Sequence, residues 1–267
     1  MNVRRKRAIL VRLGTLSVPV LIIAFWQFSS MAIGELALPL PSKTLGVLKD
    51  GLVEGGWLLS NLKDTMTELL LGYLLAVILG LVVGFILGMQ RFAREVLEPF
   101  VLNIFAIPKV TLFPIFIFIF GLGMESKVAF GFFHGIFPII ILTMASIKDI
   151  KGVYIRVGRS FRLNSLKIFK EIVFPSILPS LMTGLRLGFN LSFLGVILGE
   201  MAASRSGLGY ELMKSEGAFY MEKILSIILV LAVIAMAANL LYYALERKLG
   251  RVEERRGVDD LRSLPVE

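Results

Sequence analysis

From Leu69 to Met89 the chain reads LLLGYLLAVILGLVVGFILGM, a block without a single charged residue. A helix rises about 1.5 Å per residue, so about 20 such residues cross the roughly 30 Å hydrocarbon core of a bilayer. Within hydrocarbon every backbone N–H and C=O must find its partner inside the protein, which leaves helices and closed barrels as the only spanning structures. Barrel strands alternate apolar and polar residues over segments of about 10, and this block does not alternate. With 56% hydrophobic residues and a mean hydropathy of +0.80, the remainder of the chain is of the same kind. The expected fold class is all-α, a polytopic membrane helical bundle, and a soluble enzyme is excluded.

Apolar length and charged or Pro/Gly punctuation predict about six spans: Ala8–Met31, Thr65–Met89, Val96–Gly121, Lys127–Ile147, Ile177–Met201 and Ile224–Leu245. The third is the least regular, because Pro108 and Pro114 kink it and Lys109 lies between them. In the first, basic residues precede an apolar core and Ser30-Met31-Ala32 resembles a cleavage site, but the apolar stretch is long for a signal core of about 7–15 residues. It is read as an uncleaved anchor. The division is an anchor and extracytoplasmic segment (1–60), a transmembrane domain (61–246) and a charged tail (247–267).

Basic residues gather on one side of this arrangement. Arg4, Arg5, Lys6, Arg7 and Arg12 precede the first span, Arg91 and Arg94 follow the second, and Arg247, Lys248, Arg251, Arg255, Arg256 and Arg262 follow the last. Lys148, Lys151, Arg156, Arg159, Arg162, Lys167 and Lys170 join them, while the opposite side has only Lys43, Lys49, Lys63, Lys127, Arg205, Lys214 and Lys223. The positive-inside rule therefore places both termini and the 147–174 stretch in the cytoplasm of a multi-pass inner-membrane protein. The net charge of +9 reports topology, and no nucleic-acid partner is expected. One histidine and no cysteine leave no disulfide, no acylated anchor and no metal site to expect.

Gly72, Ala76, Gly80, Gly84 and Gly88 recur every fourth residue in the second span, and Ser180, Gly184, Gly188 and Ser192 repeat the pattern in the fifth. Small residues on one ridge let another backbone approach closely, which predicts a compact bundle or a subunit interface.

Between Ile147 and Phe174 the chain becomes basic and amphipathic, and Pro175 and Pro179 then break the pattern. Leu166, Phe169, Ile172 and Val173 fall on one helical face and Lys167, Lys170 and Glu171 on the other, so Ser165–Phe174 reads as a short amphipathic helix capped by Asn164 or Ser165. A helix around Val153–Phe161 would complete a hairpin. Periodicity alone serves a helix resting on lipid headgroups as well as one that docks a protein.

The end of this stretch, Phe169, Ile172, Phe174-Pro175 and Pro179 followed by Gly184-Leu185-Arg186, resembles the signature loop of permease subunits of ATP-binding-cassette importers. Further blocks resemble the nitrate/sulfonate/taurine branch of that family: Leu38-Pro39-Leu40-Pro41-Ser42, Leu71-Gly72-Tyr73, Pro108-Lys109-Val110 with Pro114, Phe120-Gly121-Leu122-Gly123 with Ser126-Lys127, Gly199-Glu200-Met201 and Gly207-Leu208-Gly209-Tyr210. The front of the signature departs from its E-A-A-x-x-x-G pattern, with Arg156 at the Glu, Val157 and Gly158 at the two Ala, and Arg162 at the Gly. That Gly ordinarily supplies positive φ, and Asn164 is a nearby residue able to do so instead.

The resemblance implies the type I importer permease (MetI-like) fold and import of a small solute such as nitrate, a sulfonate or taurine by alternating access. It implies ABC ATPase subunits, an extracytoplasmic solute-binding protein and a second permease copy, expected to be identical, as partners. No G-x-x-x-x-G-K-[ST] phosphate loop occurs in the chain, so ATP and Mg2+ are expected on the ATPase, with no cofactor and no catalytic residue here. Arg156, Gly158, Arg159, Arg162, Asn164, Phe169 and Pro175 are the expected coupling residues. A secondary transporter or channel would need no docking hairpin, and a membrane enzyme would need paired carboxylates or a metal cluster at hydrocarbon depth.

Polar residues inside spans usually face a cavity or another helix. Lys109, Asn103, Asn190 and Glu200 are the candidates for the translocation path, with His134 and Arg186 as weaker ones, and Lys109 and Arg186 would attract an anionic solute.

Overall fold

The computed structural model describes the backbone of residues 3–53 and 56–262 and the side chains of 14, 17–53 and 56–249. The basic side chains of 4–12 and 251–262 and all of 263–267, part of the predicted tail, lie outside the described residues. Every regular element among the described residues is helical. The order is α1 (Val3–Ile33), α2 (Pro41–Val53), α3 (Trp57–Met89), α4 (Arg91–Ala106), a 3-10 turn (Lys109–Leu112), α5 (Phe113–Phe120), α6 (Met124–Lys148), α7 (Gly152–Ser160), α8 (Ser165–Ile168), a π turn (Phe169–Val173), α9 (Phe174–Ala203), α10 (Leu208–Gly217) and α11 (Met221–Arg262).

The two small-residue ridges pack on adjacent faces of α6, which share Ile139. A Cβ built on Gly84 would lie 2.7 Å from the Cβ of Thr143, and one on Gly188 would lie 2.7 Å from Cδ1 of Ile139. The ridges are thus consumed inside the chain, where they let α3 and α9 approach α6 closely enough for dispersion to hold them; lipid offers no hydrophobic drive for helices to associate. Leu69, Phe193, Val196 and Ile197 form a buried cluster between α3 and α9 at one end, and Leu87, Ile140 and Met144 form another between α3 and α6 at the other.

The register settles the path of the chain. Gly72 faces Val128 and Gly88 faces Ile147, so α3 and α6 run parallel; Gly131 faces Val196 and Gly184 faces Leu142, so α9 is antiparallel to both. Two parallel neighbours require a return between them, and α4 with α5 makes it. Arg91, Arg94, the 148–170 stretch, Arg247 and Lys248 consequently gather at one end, here the basic end, and Lys63, Lys127, Arg205, Lys214 and Lys223 at the far end.

Polar bonds fix the periphery. Tyr73 donates to the Leu185 carbonyl (3.1 Å) and lies 2.5 Å from the Tyr242 hydroxyl, and the amides of Asn190 and Asn239 bond reciprocally at 3.2 and 3.3 Å. These tie α11 to α9 and α3. Ser226 donates to the Thr44 carbonyl, which seats α2 on α11, while Trp26 and Ser30 donate to the carbonyls of Pro39 and Leu38 and fold the Leu38–Ser42 block back on α1.

Among the described residues four helical stretches are long and apolar enough to cross a membrane, 57–89, 124–148, 165–203 and 221–249, and the described part of α1 that is apolar, Ser17–Ile33, belongs to a helix of 31 residues. Two expectations need correction. The predicted third span is two helices, α4 and the segment from Lys109 to Phe120, bent by 88°. Pro108 cannot donate to the turn before it, whereas Pro114 sits at the start of α5, where its missing N–H costs nothing and makes no kink. Finally, Pro175 and Pro179 do not end a helix: 165–203 is one continuous stretch that widens into the π turn just before Pro175. Pro175 has no N–H for the carbonyl four residues back, and the wider turn carries the chain past that gap.

Candidate functional site

At the basic end α7 and α8 form a hairpin. Leu163 N–H donates to the Gly158 carbonyl (3.1 Å) and Arg162 N–H to that of Arg159 (2.9 Å), the pair of bonds of a Schellman C-cap, with Arg162 at φ +53°. Arg162 itself therefore takes the left-handed conformation that the signature assigns to Gly. Asn164 does not; it is extended at φ −73° and is the N-cap, its Oδ1 accepting from Lys167 N–H at 2.8 Å. The family turn is thus formed without its glycine, at the cost of one non-glycine residue in αL, roughly 1–2 kcal/mol.

Gly158 is buried against the second arm: a Cβ there would lie 2.7 Å from Cδ1 of Ile172. Ile168 is buried, and Phe169 meets Phe85 of α3 edge-on at 5.7 Å, which braces the hairpin on the bundle. Leu166, expected on the buried face, is 73% exposed, because α8 lasts barely one turn and the π turn shifts the phase of the helix beyond it. Val153 and Val157 on α7 and Phe161 at its C-cap, spaced i, i+4 and i+8, are exposed as well, Phe161 at 75%. This apolar stripe is readable from its spacing but is hidden among the basic residues around it. Arg156, Arg159 and Arg162 are exposed and make no ion pair among the described residues.

At the far end the polar residues are committed to one another. Lys127 on α6 pairs with Glu68 on α3 at 2.6 Å and donates to Ser204 Oγ at 2.7 Å. Glu200 accepts from Thr65 Oγ1 (2.7 Å) and from Gly209 N–H (2.7 Å), Thr65 accepts from Leu208 N–H (2.9 Å), and Asn61 accepts from Gly207 N–H (2.8 Å). The start of α10 is thereby pinned to α3 and α9. Gly207 at φ +103° permits the approach, since a Cβ there would collide with the Glu200 carboxylate. Lys223 pairs with Glu211, and Glu35 beside Lys43 holds that ammonium above its ordinary pKa. A cavity of about 440 Å3 opens here, lined among others by Lys63, Asp64, Glu68, Lys127 and Arg205.

The candidate path residues do not converge. Glu200 is enclosed in the node just described, and Asn190 is bonded to Asn239. His134 is buried, with Nδ1 3.0 Å from the Phe130 carbonyl and its ring edge-on to Phe130 at 4.4 Å, a packed histidine. Arg186 is half-buried on α9, Asn103 is exposed on α4, and Lys109 lies at the α4–α5 break.

The described residues form a bundle with three close-packed central helices, a broken span and a basic helical hairpin at one end. The chain belongs to the family of binding-protein-dependent transport system inner membrane components, whose pattern matches residues 58–251. It is 28% identical over 250 residues to the taurine transport system permease protein TauC of Escherichia coli (strain K12), covering 91% of this chain and 90% of that one. It is also 28% identical over 197 residues to the nitrate import permease protein NrtB of Synechococcus elongatus, covering 70% and 71%. These relatives lie in the branch that the sequence blocks resemble. Among solved structures, the MetNI methionine ABC transporter in inward-facing conformations matches with a TM-score of 0.61 at 15% identity, over 70% of this chain and 93% of that one, a likeness of fold. The chain is a transport component of a membrane, working with ATPase subunits that hydrolyse ATP in its place.

Proposed function

We propose that this permease imports a small solute bearing an oxyanion group, of the kind named for its relatives (taurine, nitrate), by alternating access. The basic end faces the cytoplasm, with both termini there, and Arg156–Phe174 enters a groove of the ATPase, which holds ATP and Mg2+. An extracytoplasmic binding protein delivers the solute at the far end, where the charged cavity opens, and a second, identical copy of the chain completes the transporter.

The observation that carries this reading is the stripe of Val153, Val157 and Phe161, with Leu166 exposed on the second arm, flanked by Arg156, Arg159 and Arg162 on a hairpin braced to α3 through Phe169. Apolar side chains among guanidinium groups suit a protein groove with an acidic rim. Bracing makes the coupling reciprocal: whatever moves the hairpin moves α3 and α9, and solute at the bundle acts back on the ATPase. The test is co-purification of the ATPase with the chain, and solute uptake, in R159E/R162E, Phe161→Asp and Phe169→Asp. Loss of both at undiminished membrane content is expected; retention of both refutes the assignment.

A further inference from the structure

Lys109 occupies the 88° break between α4 and α5. Its ammonium donates to the Phe105 carbonyl at 2.9 Å and lies 4.3 Å from the centre of the Phe105 ring and 5.5 Å from that of Phe137. Phe137 is near the middle of α6 (Met124–Lys148), about 20 Å along that helix at 1.5 Å per residue, so the charge sits at mid-membrane depth. No carboxylate pairs with it among the described residues; the ion pairs of α3, α4 and α6 lie at the two ends.

An ammonium has three N–H donors, and Lys109 directs one to Phe105. The residue is half-buried, so part of its surroundings lie outside this chain. Hydrocarbon is a poor neighbour for a charge at this depth, and a lysine tethered at the helix break does not reach either interface. Asn103, exposed on α4 with no hydrogen bond among the described residues, and the exposed Thr111 lie to either side in sequence. This stretch of the broken span therefore borders water or a polar surface. The two rings hold the cation without neutralising it, since an aromatic face attracts a cation but carries no net charge.

We propose that Lys109 is an anion subsite halfway along the transport path, which restricts the solute to small molecules bearing a negative charge such as a sulfonate or nitrate. This rests on the importer reading above and names the residue that selects its substrate class. One hydrogen bond and two rings leave the ammonium able to take an oxyanion and release it again, as a conduction site must.

The chain has no cysteine, so K109C carries a single thiol. In membrane vesicles that thiol reacts with a charged, water-soluble methanethiosulfonate if it faces the path. In cells, uptake of nitrate, ethanesulfonate and taurine is compared for wild type, K109M and K109R. K109M is expected to raise the KM of the transported anion about tenfold or more, while K109R stays within about threefold, with ATPase co-purification unchanged in both. An unreactive K109C thiol, an unchanged KM in K109M, or a wild type that carries none of these three oxyanion-bearing solutes would overturn the proposal. Failure of the coupling reading shows elsewhere, in hairpin variants that keep the ATPase and uptake.

Discussion

Lys127 and Glu68 form an ion pair at 2.6 Å between α6 and α3 in which the side chains are 5% and 3% exposed. Removing one partner of a buried pair leaves the other charge without compensation, which typically costs about 3–5 kcal/mol, whereas replacing both with apolar residues of similar size is often near neutral. K127M is therefore expected to lower the thermal stability of the chain in detergent sharply, and E68M/K127M to recover most of the loss. A double variant as unstable as the single one would show that the Ser204 bond, not the pair, is what Lys127 contributes.

Arg162 holds φ +53° where a glycine would meet no steric penalty. R162G is expected to stabilise the hairpin by about 1 kcal/mol and to slow exchange of the amide at position 162 and of the Leu163 amide, the donors of the C-cap. Faster exchange would mean that the arginine side chain stabilises the turn by more than its backbone strain costs.

Gly158 has no room for a side chain, with Ile172 at 2.7 Å from the position of a Cβ. G158L should force α7 off the second arm at a cost of about 1–3 kcal/mol and abolish ATPase co-purification while leaving the bundle folded. Proteolysis confined to 150–165 would check it.

Asn190 and Asn239 exchange amide hydrogen bonds between α9 and α11. Such bonds inside membrane bundles are worth about 0.6 kcal/mol on average, up to about 1.7. N190L and N239L should each lower stability by about that much, and the double variant by little more than either, in a double-mutant cycle followed by thermal unfolding.

How much of this is legible in the sequence differs residue by residue. The ridge of Gly72 to Gly88 announces a close helix contact, but its partner, α6, is not readable, since a ridge has no label for what fills it. Asn164 is legible as a cap because capping is local. The left-handed residue, expected at Asn164, falls instead at Arg162, where the bond pattern of α7 places its C-cap. A 3.6-residue period assigns Leu166 to the buried face, and the π turn breaks that period.

Hydropathy, charge asymmetry and the order of its motif blocks determined that this chain is a helical membrane permease with its basic segments at one end. These are short-range properties, since crossing hydrocarbon depends on a run of residues and not on their neighbours in space. The tertiary structure alone decided that the third span breaks at a right angle, that Glu200 answers to Thr65, 135 residues away, and that Lys109 is left at mid-depth without a carboxylate. Each depends on which segments pack together, and a polar side chain has no role until its partners across the bundle are in place.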